Sequence, residues 1–112
     1  MMIYIGKFRE LCVRHPDYPS IIDYFENDSY PGKDKIVRYL KKSGEVDMMT
    51  GAIRKDVITG DTITSTDTGR NDGEYSWWES LAYYVEHYNL RLPKTFEEKI
   101  LNSYFDEGQE SV

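Results

Sequence analysis

Apolar residues early in the chain recur at the spacing of a short helix. Residues 19–28, "PSIIDYFEND", carry three of them on one stripe, at Ile21, Ile22 and Phe25. Pro19 suits the first turn of a helix, where a backbone amide hydrogen is not needed. The turn-forming segment "DSYPG" at residues 28–32 then interrupts the pattern. The pattern therefore predicts a first helix over residues 19–28.

A second amphipathic segment follows at residues 33–44, "KDKIVRYLKKSG". Its apolar residues fall on one face, and lysines occupy the last turn, where positive charge suits the helix dipole. Gly44 can adopt the left-handed conformation that ends many helices. The segment predicts a second helix whose inward-facing residues are Ile36, Val37 and Leu40.

The middle of the chain changes from helical to strand-like patterning. Val46, Met48 and Thr50 alternate with other residues, and residues 56–68 combine a Thr-Gly-Asp turn with β-branched side chains. Residues 71–73 are Asn-Asp-Gly, and Asp-Gly is among the strongest hairpin signals. These features predict a three-stranded antiparallel meander.

Two more helices are predicted to close the chain, each opened by a capping box. In such a box a hydroxyl and a carboxylate three residues later bond the free amides of the first turn. Residues 76–79 and residues 95–98 both have the required Ser/Thr-x-x-Glu form. The apolar stripe of the first is Trp77, Leu81, Tyr84, Val85 and Tyr88, and that of the second is Phe96, Ile100, Leu101, Tyr104 and Phe105.

The order of elements predicts the fold class. Two N-terminal helices, a three-stranded antiparallel meander and two C-terminal helices packed on the sheet make an α+β protein. The 112 residues correspond to one domain, and residues 106–112 are polar enough to form a frayed tail.

Charge is distributed unevenly along the chain. The net charge is -6, and residues 56–90 hold seven acids against one base, Arg70. An acidic field of this kind repels nucleic acid and attracts basic partners, although it also serves solubility alone. The cations of the second helix, which could form a small nucleic-acid patch, are better explained in so acidic a chain as a solvated helix face.

The remaining composition indicates a cytoplasmic protein without cofactors. Cys12 is the only cysteine, so no internal disulfide can form, and its apolar neighbours favour a small buried side chain. No segment approaches the length of a membrane span, and no signal peptide is recognisable. We therefore expect a protein of the reducing cytosol with no membrane association.

Motifs for catalysis or metal binding are weak. The eight glycines form no phosphate-binding loop, and one cysteine with two distant histidines does not fit a zinc site. The acids of the middle segment lack the spacing of a calcium-binding EF-hand. A histidine pair, His15 and His87, is conceivable as an acid–base pair, but a ribonuclease would also need cations around it. We therefore predict no metal, no cofactor and no enzymatic activity.

The aromatic residues are the last feature with a functional implication. The chain has ten tyrosines, two tryptophans and four phenylalanines. Such side chains anchor protein interfaces and also stack on single-stranded bases, although base stacking normally accompanies a cationic groove. Trp78 and Tyr83 fall beside the centre of the predicted apolar stripe and next to acids. An acidic surface with one or two exposed aromatics is typical of a site for a basic protein.

The segments Lys35 to Gly44 and Asp72 to Ile100 resemble a group of small acidic bacterial immunity proteins from polymorphic and contact-dependent toxin systems. The resemblance rests on the pattern DG-x-Y-x-W, L-x-YYV-x-x-YNL-x-LP-x-x-F, and covers about a third of the chain. The polar stretch "TDTGR" at residues 66–70 has no clear place in that pattern. The resemblance implies an inhibitor, monomeric when free, that binds a cognate toxin, often a nuclease, and occludes its active site.

The hypothesis we favour is thus a toxin-neutralising immunity protein that binds a basic active-site cleft. Two alternatives remain open: an acidic nucleic-acid mimic that inhibits host nucleic-acid machinery, from a phage or mobile element, and a small enzyme using His15 or His87. The residues predicted to contact the toxin are Asp61, Asp67, Asp72, Glu74, Trp78, Glu79, Tyr83 and Glu86.

Overall fold

The computed structural model of the chain describes residues 2–105. The predicted frayed tail at residues 106–112 lies outside this range. Within it, the chain forms an α+β structure of three α-helices and two separate sheets. In chain order the elements are β1 (Ile3–Tyr4), α1 (Lys33–Lys42), β2 (Glu45–Thr50), β3 (Arg54–Lys55), β4 (Thr62–Thr64), β5 (Asp67–Asn71), β6 (Tyr75–Trp78), α2 (Leu81–Tyr88) and α3 (Lys94–Asn102).

The strands do not form the predicted three-stranded meander. The main sheet has four strands in the order β1-β6-β5-β2, and β1 runs parallel to β6 whereas the other two pairings are antiparallel. Strands β3 and β4 pair only with each other, as a second sheet. The prediction failed because it placed every strand between the helices, while β1 comes from the start of the chain and joins the sheet edge through tertiary contacts.

The predicted first helix over residues 19–28 is also wrong. Only Ile21–Tyr24 is helical, as one turn of 3-10 helix, and Phe25 after it is extended. Long-range contacts take the place of further helical bonds: the Glu26 amide donates to the Tyr88 carbonyl at 3.3 Å, and the Arg91 amide donates to the Tyr24 carbonyl at 2.9 Å. Because these bonds fix the chain in an extended path, the apolar stripe of this segment does not continue as a helix.

The capping box predicted at residues 76–79 is a strand instead. Ser76, Trp77 and Trp78 lie in β6, which is hydrogen-bonded to β1 on one side and to β5 on the other. The Trp77 indole also donates to the Leu40 carbonyl at 2.8 Å and its side chain is buried. Two strand pairings and a buried tryptophan outweigh a cap, which is worth about 1 kcal/mol. The helix α2 therefore begins only at Leu81.

The capping box predicted at residues 95–98 does not form, because the N-cap of α3 is Pro93, two residues earlier. Helix α3 begins at Lys94, so Thr95 lies inside its first turn and does not cap it. Glu97, which is buried, reaches back to accept from the Leu92 amide at 2.9 Å and from the Arg91 guanidinium at 2.7 and 3.1 Å. A carboxylate therefore still binds the segment that precedes the helix, but it belongs to Glu97 and not to Glu98.

The core lies between one face of the four-stranded sheet and the helices. Trp77 and Tyr75 on β6 contact Phe96 of α3, with ring centroids 5.5 and 4.6 Å apart, and Tyr39 of α1 lies 5.6 Å from Trp77. Ile36, Val37 and Leu40 are buried as predicted, but Leu101 and Tyr104 of the last predicted stripe are 41% and 84% exposed.

Among residues 2–105, no helix is long and apolar enough to cross a membrane.

Candidate functional site

Four of the eight predicted contact residues line one shallow depression of about 280 Å³, which we call the acidic hollow. These four are Asp67, Glu79, Tyr83 and Glu86. The other lining residues are Lys41, Ile63, Thr64, Thr66 and Ser80. The hollow lies where β4 passes into β5 and where α2 begins. Tyr83 and Glu86 share one side of α2 because they are three residues apart, and Glu79 lies in the turn just before the helix.

Asp67 forms the floor of the acidic hollow and is almost fully buried, with 2% of its surface exposed. One carboxylate oxygen accepts from the Arg54 Nε at 3.0 Å and from the Ser80 hydroxyl at 2.6 Å. The other accepts from the backbone amides of Ser80 at 3.1 Å and Thr68 at 3.0 Å. Asp67 therefore joins β3, β5 and the start of α2, and its charge is balanced inside the molecule by Arg54.

The two glutamates at the rim of the hollow differ in their partners. Glu79 accepts from the Arg70 Nε at 2.5 Å and keeps 29% of its side chain exposed. Glu86 is 51% exposed, and the imidazole of the neighbouring His87 lies 3.8 Å away and pairs with it only when protonated. Arg70 thus fixes the position of Glu79, while Glu86 presents its charge to the solvent.

Tyr83 is positioned by a buried acid that was not among the predicted contact residues. Its hydroxyl and that of Tyr88 each donate to one oxygen of Asp56 at 2.6 Å. The other oxygen accepts from the amides of Ile58 at 2.7 Å and Thr59 at 3.1 Å. Asp56 is 2% exposed, so this cluster fastens the β3–β4 turn to α2.

The hydrogen bonds around Asp56 stabilise its ionised form. Burial alone would raise the pKa of this carboxyl, but the donors from Tyr83, Tyr88, Ile58 and Thr59 outweigh it and lower the pKa from 3.8 to about 2. The same contacts raise the pKa of Tyr83 and of Tyr88 to about 12, mainly through the hydrogen bond to Asp56. The Tyr83 hydroxyl is thus committed to an internal acceptor, while its half-buried ring lines the hollow.

Asp72 and Glu74 lie in the connection between β5 and β6, away from the acidic hollow. Asp72 accepts from the Tyr39 hydroxyl at 2.6 Å and from the Tyr75 amide at 2.7 Å, and Lys99 is 3.1 Å from it. Burial opposes ionisation of Asp72, but these donors prevail and lower its pKa. Glu74 is 58% exposed and pairs with the same lysine at 2.9 Å. Both acids hold the hairpin to α3, at the turn that the Asp-Gly signal predicted.

Asp61 and Trp78 lie apart from the acidic hollow. Asp61 is exposed at the end of the β3–β4 turn, where its carbonyl accepts from the Asp56 amide at 2.8 Å. Trp78 is half-buried on the sheet face opposite Trp77, with the Arg54 guanidinium 5.0 Å from its ring centroid. The structure therefore brings Asp67, Glu79, Tyr83 and Glu86 together and leaves the other four predicted residues elsewhere.

The edge position and the exposure of β2, beside the acidic hollow, were not predicted from the sequence. β2 is the outer strand of the main sheet, and Val46, Met48 and Met49 on it are 51%, 56% and 71% exposed. Its pairing sets Met49 opposite Thr68 and Thr50 opposite Asp67, so its last residues adjoin the hollow. The alternation of Val46, Met48 and Thr50 indicated a strand, but alternation alone cannot tell an edge strand from an inner one.

The residues weighed for enzymatic chemistry are dispersed. His15 stacks on Tyr18 at 4.5 Å between ring centroids, and His87 lies near the end of α2 against Tyr83 at 4.2 Å. Cys12 is half-buried, and its Sγ lies 3.6 Å from the Gly6 carbonyl oxygen. No group of three or more histidines, cysteines, aspartates or glutamates within residues 2–105 is placed to hold a metal ion.

Comparisons with known proteins leave the family open. The chain matches no protein-family model, no curated protein and no solved structure at a significant level. The resemblance to immunity proteins therefore stays a prediction from the residues.

Proposed function

We propose that the protein is an immunity protein that binds and neutralises a basic bacterial toxin, of which a nuclease is the best-fitting class. The observation that carries the proposal is the acidic hollow together with the exposed apolar end of β2 beside it. Protein interfaces typically combine apolar anchors with a polar, charged margin, and this surface has both.

The acidic side of the surface fits a partner that binds phosphate. A nuclease presents cations to its substrate, and carboxylates held at fixed positions can engage those cations in place of phosphate groups. Glu86 offers an exposed charge, while Arg70 holds Glu79 in place. Because Glu79 is already ordered, it loses little side-chain freedom when a partner binds. The seven acids of residues 56–90 also attract a basic partner over a distance.

The apolar side of the surface supplies the contact area. Met48 and Met49 are both more than half exposed on an edge strand. Methionine side chains adapt to irregular partner surfaces, and the free edge of β2 offers backbone groups to a strand of the partner. An exposed apolar edge strand also invites aggregation unless a partner covers it or charges protect it. Glu45 and Asp47 on β2 are exposed acids that can provide this protection in the free protein.

The proposal is tested by co-expression with the product of the gene immediately upstream. We expect the two proteins to purify together and the chain to relieve the toxicity of its partner. A partner that remains toxic and does not associate would contradict the proposal. Recovery of host polymerase or a host nuclease complex from a lysate, with no dedicated toxin, would instead favour the nucleic-acid mimic.

A further inference from the structure

A second depression, which we call the tyrosine groove, lies on a different part of the molecule from the acidic hollow. Its volume is about 700 Å³, against about 280 Å³ for the acidic hollow. It is bounded by β1 and the residues after it, by residues 18–24, and by residues 91–95 at the start of α3. A groove of this size matches the space that small organic ligands occupy in proteins.

The walls of the tyrosine groove are aromatic and apolar. Tyr4, Tyr18, Tyr24 and Tyr75 line it, together with apolar side chains that include Ile3 and Leu92. Two backbone bonds hold the wall at residues 18–24 in place: the Arg9 amide donates to the Pro19 carbonyl at 3.0 Å and the Arg91 amide to the Tyr24 carbonyl at 2.9 Å. The groove is therefore built by tertiary contacts and is suited to a flat apolar body.

The charge of the tyrosine groove is opposite to that of the chain. Its lining contains Lys7, Arg91 and Lys94 and no aspartate or glutamate, although the net charge of the protein is -6. Arg91 is already paired with Glu97. Both lysines are exposed, and their ammonium groups form no hydrogen bond or ion pair within residues 2–105, so both are available to an anion.

The rim of the tyrosine groove adds neutral hydrogen-bond donors. β1 is an edge strand, and its Ile3 and Ile5 amides are used in pairing with β6. The Tyr4 amide between them faces the other way, because successive residues of a strand alternate. Like any tyrosine hydroxyl, that of Tyr4 is protonated at neutral pH, and burial raises its pKa further, to about 12.

We propose that the tyrosine groove binds a small organic anion with a flat apolar body, whose carboxylate, sulfonate or phosphate group pairs with Lys7 and Lys94. The tyrosines enclose the apolar body and the two lysines select the charge. This site is separate from the toxin-binding surface, and neither depends on the other.

The test uses 8-anilinonaphthalene-1-sulfonate as the anionic probe and N-phenyl-1-naphthylamine as its uncharged counterpart. Fluorescence titrations compare the full chain with the double variant K7E/K94E and with R14E/K42E, which makes the same charge change outside the groove. We expect K7E/K94E to weaken binding of the sulfonate by about tenfold or more, because two attractions at exposed positions, each worth roughly a factor of two, become repulsions of similar size. Affinity for the uncharged probe and the affinities of R14E/K42E should change by about twofold or less.

Two further measurements separate the loss of charge at the groove from charge repulsion and from unfolding of the variants. K7Q/K94Q, which removes the charges without reversing them, should give an intermediate loss, and circular dichroism should show native melting for each variant. Equal effects of the groove and control variants on the sulfonate would overturn the proposal, since the probe would then bind elsewhere, for example at β2. Displacement of the sulfonate by hexaglutamate at lower concentrations than by free naphthalene sulfonate would overturn the ligand class in favour of an acidic peptide.

Discussion

At the residue scale, the acids of the middle segment divide into structural and exposed groups. Asp56, Asp67 and Asp72 accept three or more hydrogen bonds each from the protein, whereas Glu74 and Glu86 are more than half exposed. The sequence showed that the segment was acidic but not which acids were buried, because burial depends on partners distant in the chain. Tyr83 and Tyr88, for example, come 27 and 32 residues after Asp56.

The hydrogen bonds around Asp56 should contribute strongly to the stability of the fold. Replacing Asp56 with Ala removes four acceptor contacts and leaves two tyrosine hydroxyls without their partner. We expect the free energy of unfolding to fall by about 3 kcal/mol, as for other losses of hydrogen bonds to a buried charge. Asp61→Ala is the matched control, because the Asp61 side chain is exposed and its carbonyl remains, and it should change stability by about 0.5 kcal/mol or less. Urea unfolding measures both, and equal effects would show that Asp56 does not fasten the turn.

Acid should weaken the fold through the same residue. The folded pKa of Asp56 is about 2, below its ordinary value of 3.8, so the unfolded chain binds the proton first. The contribution of ionised Asp56 to the free energy of unfolding is complete above about pH 4. It is lost as the pH falls from there towards 2. Asp72, whose pKa is also lowered, acts in the same direction. The melting temperature should drop less steeply over this range in Asp56→Asn than in the wild type. Parallel curves for the two proteins would refute this role of Asp56.

At the scale of elements, local patterns predicted those segments whose local and tertiary preferences agree. The amphipathic face of α1 is buried as predicted, and the Asp-Gly segment does join two antiparallel strands. The pattern failed at β6, where Ser76 and Glu79 are locally suited to cap a helix but strand pairing on both sides prevails. It also failed for β1, whose two residues are too short to signal a strand without their partner.

Gly44 lies at the junction between α1 and β2, where the backbone conformation and the close packing both require glycine. Its φ of +74° is left-handed, and an added Cβ would lie 2.0 Å from the Asn71 carbonyl oxygen, which belongs to a paired strand. Gly44→Ala should therefore destabilise the protein by about 2–4 kcal/mol, from backbone strain and the clash together. Gly51→Ala is the control, because no atom lies within 4 Å of its added Cβ, and it should change stability by about 0.5 kcal/mol or less. Thermal unfolding measures the stability of both variants. A similar loss of stability in the two would show that the close approach of Gly44 to Asn71 is not the cause.

At the scale of the whole molecule, the acidic region and the cationic region of the surface are separate from each other. The acidic hollow and the apolar end of β2 lie together, while the tyrosine groove carries cations and no acid. The sequence predicted an acidic, aromatic surface, and four of the eight residues that it singled out lie together in the hollow. It could not show the groove, because the groove is formed by three segments that are far apart in the chain and meet only through tertiary bonds.

The surface around the acidic hollow and β2 is the part of the molecule that we propose binds a basic toxin. The most direct measurement is the dissociation constant of the complex with the product of the upstream gene, for the wild type and two charge-reversal variants. Glu86→Lys alters the exposed acid of the hollow, and Glu98→Lys makes the same change at an exposed position on α3. We expect Glu86→Lys to weaken binding by about tenfold or more and Glu98→Lys by about twofold or less. Equal affinities for the two variants, or no complex with the wild type, would contradict the proposal that this surface binds a basic toxin.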